Sequence, residues 1–119
     1  MSKLGLTATL KGTGVINNAY IYLEDVPASN PLATAVGLFP QDTTNKIWIN
    51  KKIKIEVEGN LEYQLNVHAF SGTDWEFELA TQPAGKKVLS LNGTTGTQQS
   101  MGYGKNISIA KGTVVASSL

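Results

Sequence analysis

The sequence predicts an all-β protein. The expected form is an antiparallel β-sandwich of jelly-roll or Greek-key kind with about eight or nine strands, and a closed barrel is the alternative. Three observations predict it. Apolar residues recur with a period of two, as in Leu61, Tyr63, Leu65, Val67 and Ala69, and that period lines one face of a pleated strand. Such runs return roughly every eight to twelve residues, separated by clusters rich in Gly, Pro, Asn and Thr. No stretch carries the 3.6-residue period of an amphipathic helix.

Taken in order, residues 3–11 alternate Leu4, Leu6, Ala8 and Leu10 with Gly5, Thr7, Thr9 and Lys11, a strand with one buried face. Gly12-Thr13-Gly14 breaks it. Residues 15–24 set Ala19, Ile21 and Leu23 on one face and Tyr20, Tyr22 and Glu24 on the other. Residues 25–32 hold two prolines and read as a loop, since proline cannot donate to a ladder. A short strand covers residues 33–39, and Pro40 to Asn45 form a polar loop. Residues 46–58 keep one parity. Ile47, Ile49, Ile53, Ile55 and Val57 fall on odd numbers, while Trp48 falls on an even one. They read as one long strand with Lys51 as the exception, or as two strands meeting at Asn50-Lys51-Lys52.

Gly59-Asn60 reads as a turn that makes strands 53–58 and 61–69 antiparallel neighbours. Residues 61–79 are then expected to form a hairpin closed by Ser71-Gly72-Thr73-Asp74, with Trp75, Phe77 and Leu79 inward on the second arm. Residues 86–91 form a further strand. Residues 92–104 read as a long loop or weak strand, and residues 106–110 as a strand with Ile107 and Ile109 inward. Gly112 is expected to break the chain before a last strand or tail at 113–116. The 119 residues suit one domain spanning residues 1–119.

Composition limits the function classes. Ten basic residues oppose nine acidic ones, for a net charge of +1, so no strong field is available to steer a polyanion. Every basic residue is lysine. The bidentate fork with which arginine reads guanine and phosphate is absent, and no nucleic-acid partner is expected. There is no cysteine, which removes disulfides, thiolate nucleophiles and cysteine zinc sites. No apolar run reaches the length of a membrane-spanning helix or a signal-peptide core. The chain as written reads as cytoplasmic, with export by a non-classical route or a trimmed secreted form as alternatives.

Catalytic motifs are missing. His68 is the only histidine and reads as a strand residue on a polar face. No G-x-S-x-G elbow, P-loop or dinucleotide fingerprint occurs. Glu56, Glu58, Glu62, Glu76 and Glu78 fall on the outward faces of strands expected to be neighbours, where lysines supply cross-strand partners. No enzyme, cofactor or metal site is expected.

The aromatic residues are the better candidates. Trp48 has the parity opposite to Ile47 and Ile49, which points it outward among lysines and asparagines; a core or interface position is the alternative. Tyr20 and Tyr22 share one strand face. With Asn50, Asp74 and Tyr103 they make a candidate ligand set, because flat rings and hydrogen-bonding side chains together suit polyhydroxyl ligands. The expectation is a non-catalytic binding module, carbohydrate-binding and lectin-like in architecture. It would gain avidity as a homo-oligomer. The alternative is a structural or assembly subunit that forms an oligomer through its sheet faces.

Overall fold

The computed structural model describes residues 2–26, 34–41, 43–57, 59–70, 72–82, 85–95, 107–115 and 117. They form nine strands: β1 (Ser2–Gly12), β2 (Ile16–Val26), β3 (Thr34–Gly37), β4 (Phe39–Pro40), β5 (Ile47–Val57), β6 (Asn60–Ala69), β7 (Asp74–Gln82), β8 (Lys87–Thr94) and β9 (Ile107–Val114). One sheet runs in the order β4-β5-β1-β7-β8 and the other β3-β2-β6-β9. The pairings in both are antiparallel. No helix long and apolar enough to cross a membrane is present among the described residues. The two sheets end in separate edge strands, so the closed barrel is ruled out.

Both sheets contribute to one core. Leu6, Leu10, Phe77 and Leu79 come from the five-stranded sheet. Ile21, Leu23, Leu65 and Val67 come from the four-stranded one. These residues obey the period-two alternation, and their opposite faces meet solvent. Trp75 joins them at 2% exposure, as its parity predicts.

The expected hairpin over residues 61–79 does not form. β6 and β7 lie in different sheets, and the polar segment between them carries the chain from one layer to the other. Gly72 supplies a φ of 82°, in the left-handed region that favours glycine. The crossing is then tied to a distant segment. Thr73 N–H donates to Thr95 Oγ1 at 3.0 Å, and both threonine hydroxyls donate to the Phe70 carbonyl, at 2.7 and 2.6 Å. β5 and β6 are likewise not neighbours. β5 pairs with β1 and β4, and β6 with β2 and β9.

Two further expectations change. The strand expected at 33–39 divides at Leu38, a buried residue whose N–H donates to the Ala19 carbonyl at 3.0 Å while the chain switches sheets. Gly112 does not interrupt β9. The Tyr63 ring lies over it, and a Cβ there would come within 2.7 Å of the Tyr63 hydroxyl. β8 also extends to Thr94, into the segment expected to be a long loop or a weak strand.

Candidate functional site

The chemistry-bearing side chains gather on the outer face of the four-stranded sheet, on its two central strands. Alternation places Tyr20 and Tyr22 of β2 outward, opposite buried Ala19, Ile21 and Leu23. The register sets Tyr20 directly across from Asn66 and Tyr22 across from Gln64, both on β6. Asn18 pairs with His68 beyond a register shift in β2.

These pairs interlock. The two tyrosine rings meet edge to face with centroids 5.4 Å apart. Tyr20 stacks on His68 at 5.9 Å and 24°. Asn66 Nδ2 donates to the Tyr20 hydroxyl at 3.0 Å, and Gln64 Nε2 donates to Asn66 Oδ1 at 3.2 Å. Asn66 is only 8% exposed, so its amide is fixed by these bonds. The Tyr20 hydroxyl accepts from Asn66 and keeps its own proton for a further acceptor. Gly37 pairs with Tyr20 on the β3 side, and a Cβ there would meet nothing within 4 Å. The flank of the ring is therefore open.

Beside this row lies an open depression of about 730 Å³, bounded by Tyr22, Glu62, Gln64, Asn66, Lys111 and Thr113. It offers one aromatic ring, two amides, a hydroxyl and one charge of each sign. Among the described residues no three His, Asp or Glu side chains are grouped as a metal site would need. Glu62 belongs to one sheet, and Glu76 and Glu78 to the other. The glutamates therefore do not share one face, and Glu78 pairs with Lys87 at 3.1 Å.

The other residues singled out in the sequence lie elsewhere. Trp48 points inward and is 8% exposed. The reason is a bulge. Leu6 faces Ile53 and Ala8 faces Asn50, so Thr7 alone stands opposite Lys51 and Lys52. One extra residue inverts the parity of the strand. Before the bulge even residues face the core, and after it odd ones do. Trp48 Nε1 donates to the Asn45 carbonyl at 3.0 Å, and the same oxygen accepts from Ile16 N at 2.8 Å. Asn45 presents that oxygen at a φ of 55°, a conformation asparagine tolerates better than most residues.

Asn50 serves the bulge itself. Its Oδ1 accepts from Lys52 N and its Nδ2 donates to the Gly37 carbonyl, both at 2.8 Å. Asp74 is exposed on the five-stranded sheet, and its carboxylate accepts from Thr94 Oγ1 at 2.6 Å. Tyr103 lies outside the described residues. Of the five described residues of that set, the structure brings together Tyr20 and Tyr22 only. Their partners Asn66, Gln64 and His68 were not part of the ligand set. The signal that could have found them is the polar run Glu62, Gln64, Asn66, His68, which lines the outward face of the same sheet.

Comparison of the chain with protein-family models, with curated proteins and with solved structures gives no match.

Proposed function

We propose that the protein is a non-catalytic binding domain on an antiparallel β-sandwich with Greek-key or jelly-roll connections, and that its ligand is a carbohydrate. The observation that carries this reading is the hydrogen-bonded row Tyr20–Asn66–Gln64 beside Tyr22, at the rim of an open depression. Sugars need an apolar ring face and a set of fixed donors and acceptors. Tyr22 supplies the first, while Gln64, Asn66, Glu62 and Lys111 supply the second. Gln64 and Asn66 are held by hydrogen bonds within the row, so little of their side-chain freedom is lost on binding.

A glycan array tests this, with wild type beside Tyr22→Ala and Gln64→Ala. The expected outcome is saturable binding to a defined glycan that weakens by about 2 kcal/mol in Tyr22→Ala, as for a central aromatic contact, with the circular dichroism spectrum unchanged. Silence of the folded wild-type protein across the array would reject the carbohydrate reading.

Assembly through the other sheet is the second reading. Phe39, 63% exposed on the two-residue edge strand β4, pairs directly with Ile49. Ile47 lies on the same outer face. A second copy of this chain would cover such a patch. Sedimentation of wild type against Phe39→Lys separates the two states.

A further inference from the structure

A second cleft opens between the sheets, at the side where edge strands β8 and β9 approach each other. It has about 340 Å³ and is lined by Tyr63, Trp75, Leu91, Ser108 and Ala110, with Lys111 at its mouth. One wall belongs to the five-stranded sheet and the other to the four-stranded sheet. The inward positions of β9 are Ser108, Ala110, Gly112 and Val114, with Ile109 on the other face rather than inward as expected, and the first three are small. They leave space that a close-packed interior would fill.

Each wall carries an aromatic ring laid on a glycine. Trp75 rests on Gly93, where a Cβ would come within 2.6 Å of the indole. Tyr63 rests on Gly112, as described. Any larger residue at either glycine would displace the ring, so both rings are held in place by backbone.

Two buried polar groups on these walls have no partner among the described residues: Trp75 Nε1 and Ser108 Oγ. Trp75 is 2% exposed and Ser108 1%. An unmade buried hydrogen bond costs about 1–3 kcal/mol. Serine is replaceable by alanine in an apolar wall at no steric cost, yet Ser108 and Trp75 both line the same space. The indole can only donate, and the hydroxyl can donate and accept. Apart from Lys111 at the mouth, no charged side chain among the described residues lines the cleft. A charged guest would lose its hydration without a countercharge inside.

We propose that this cleft binds a small neutral molecule with an apolar body and one oxygen acceptor, of the ketone, alcohol or phenol class. The oxygen accepts from Trp75 Nε1–H, Ser108 completes its hydrogen bonding, and Leu91, Ala110 and the Tyr63 ring enclose the apolar part. The volume is at the small end of ligand sites, which begin at about 300 Å³. Nothing in this assignment depends on the tyrosine row of the opposite sheet face.

The test uses ¹⁵N-labelled full-length protein titrated with p-cresol and with toluene, which has the same ring and no oxygen. The Trp75 indole N–H resonance is assigned by its loss in Trp75→Phe. The expected result is a saturable shift of that resonance with p-cresol and binding about tenfold weaker for toluene, the worth of one hydrogen bond. Ser108→Ala keeps the fold and weakens p-cresol severalfold. Ala110→Leu fills the space and abolishes the shift, with the remaining spectrum preserved. A Trp75 resonance that does not move up to the solubility limit of p-cresol overturns the proposal. So does an equal response in Ala110→Leu, or a persistent water-to-indole exchange peak that p-cresol leaves unchanged.

Discussion

The phenol of Tyr63 couples stability to alkaline pH. Its ring lies over Gly112 on the inner side of β6, and burial pushes the hydroxyl above the usual tyrosine value near 10. The folded state therefore holds the proton more tightly than the unfolded chain does. Below about pH 10 both states are neutral and the contribution is fully present. As pH rises beyond that the unfolded chain ionises first, and the contribution is lost as pH passes through the folded value. Urea midpoints of wild type are expected to fall more steeply between about pH 9 and about pH 11 than those of Tyr63→Phe. Parallel profiles would show that the phenol is not linked to folding. Trp48 shows what a single residue conceals. Its parity with respect to Ile47 and Ile49 is legible, and those two do lie on the opposite face from it. Which face is the core is not written in the alternation, because five isoleucine and valine residues on odd numbers outvote one tryptophan. The Asn45 carbonyl that receives its N–H lies in a loop, where no periodicity reports it.

The bulge in β5 is the element on which that inversion turns. Asn50 holds it by two hydrogen bonds, to Lys52 N and to the Gly37 carbonyl, and Gln82 Nε2 donates to the Lys51 carbonyl from two strands away. Asn50→Ala leaves Lys52 N and the Gly37 carbonyl without these partners. The expected loss is about 1–2 kcal/mol in chemical denaturation, with the register change visible as altered amide exchange at Lys51 and Lys52. A variant as stable as wild type would mean that the bulge is held by the backbone ladder alone. Strand existence was legible throughout, because alternation is a local property: β1, β2, β6 and β7 lie where their patterns place them, with the expected inner faces on β1 and β7. Strand partnership was not. Phe70 to Asp74 has the composition of a hairpin turn, yet it crosses between layers. What distinguishes the two is the anchorage of Thr73 to Thr95, 22 residues away, and no local pattern records it. The candidate site suffered the same limit. Tyr20 and Tyr22 were legible as a pair, but Asn66 and Gln64 became their neighbours only through the pairing of β2 with β6.

At the scale of the whole molecule, the tyrosine row and the β8–β9 cleft occupy different surfaces, one on the outside of a sheet and one between the two. Lys111 borders both, so substitutions there are expected to couple the two, while Tyr22→Ala and Ser108→Ala, with no contact in common, are expected to act independently. The route of the chain carries a different consequence. It changes sheet at β1–β2, β3–β4, β5–β6, β6–β7 and β8–β9, so neither layer can be completed from a continuous stretch of chain. Central β1 waits for β5 and β7, and β6 waits for β9. Loop-closure entropy must be overcome before most pairings contribute. Folding is therefore expected to be a single slow event, in the range of roughly milliseconds to seconds typical of such topologies. Stopped-flow tryptophan fluorescence reads it directly, since Trp48 and Trp75 are both buried in the native core. A large recovery of signal within the dead time would mean that one layer assembles alone. A ribosome releasing this chain from its N-terminus would have no finished sheet to show until nearly the last strand had emerged.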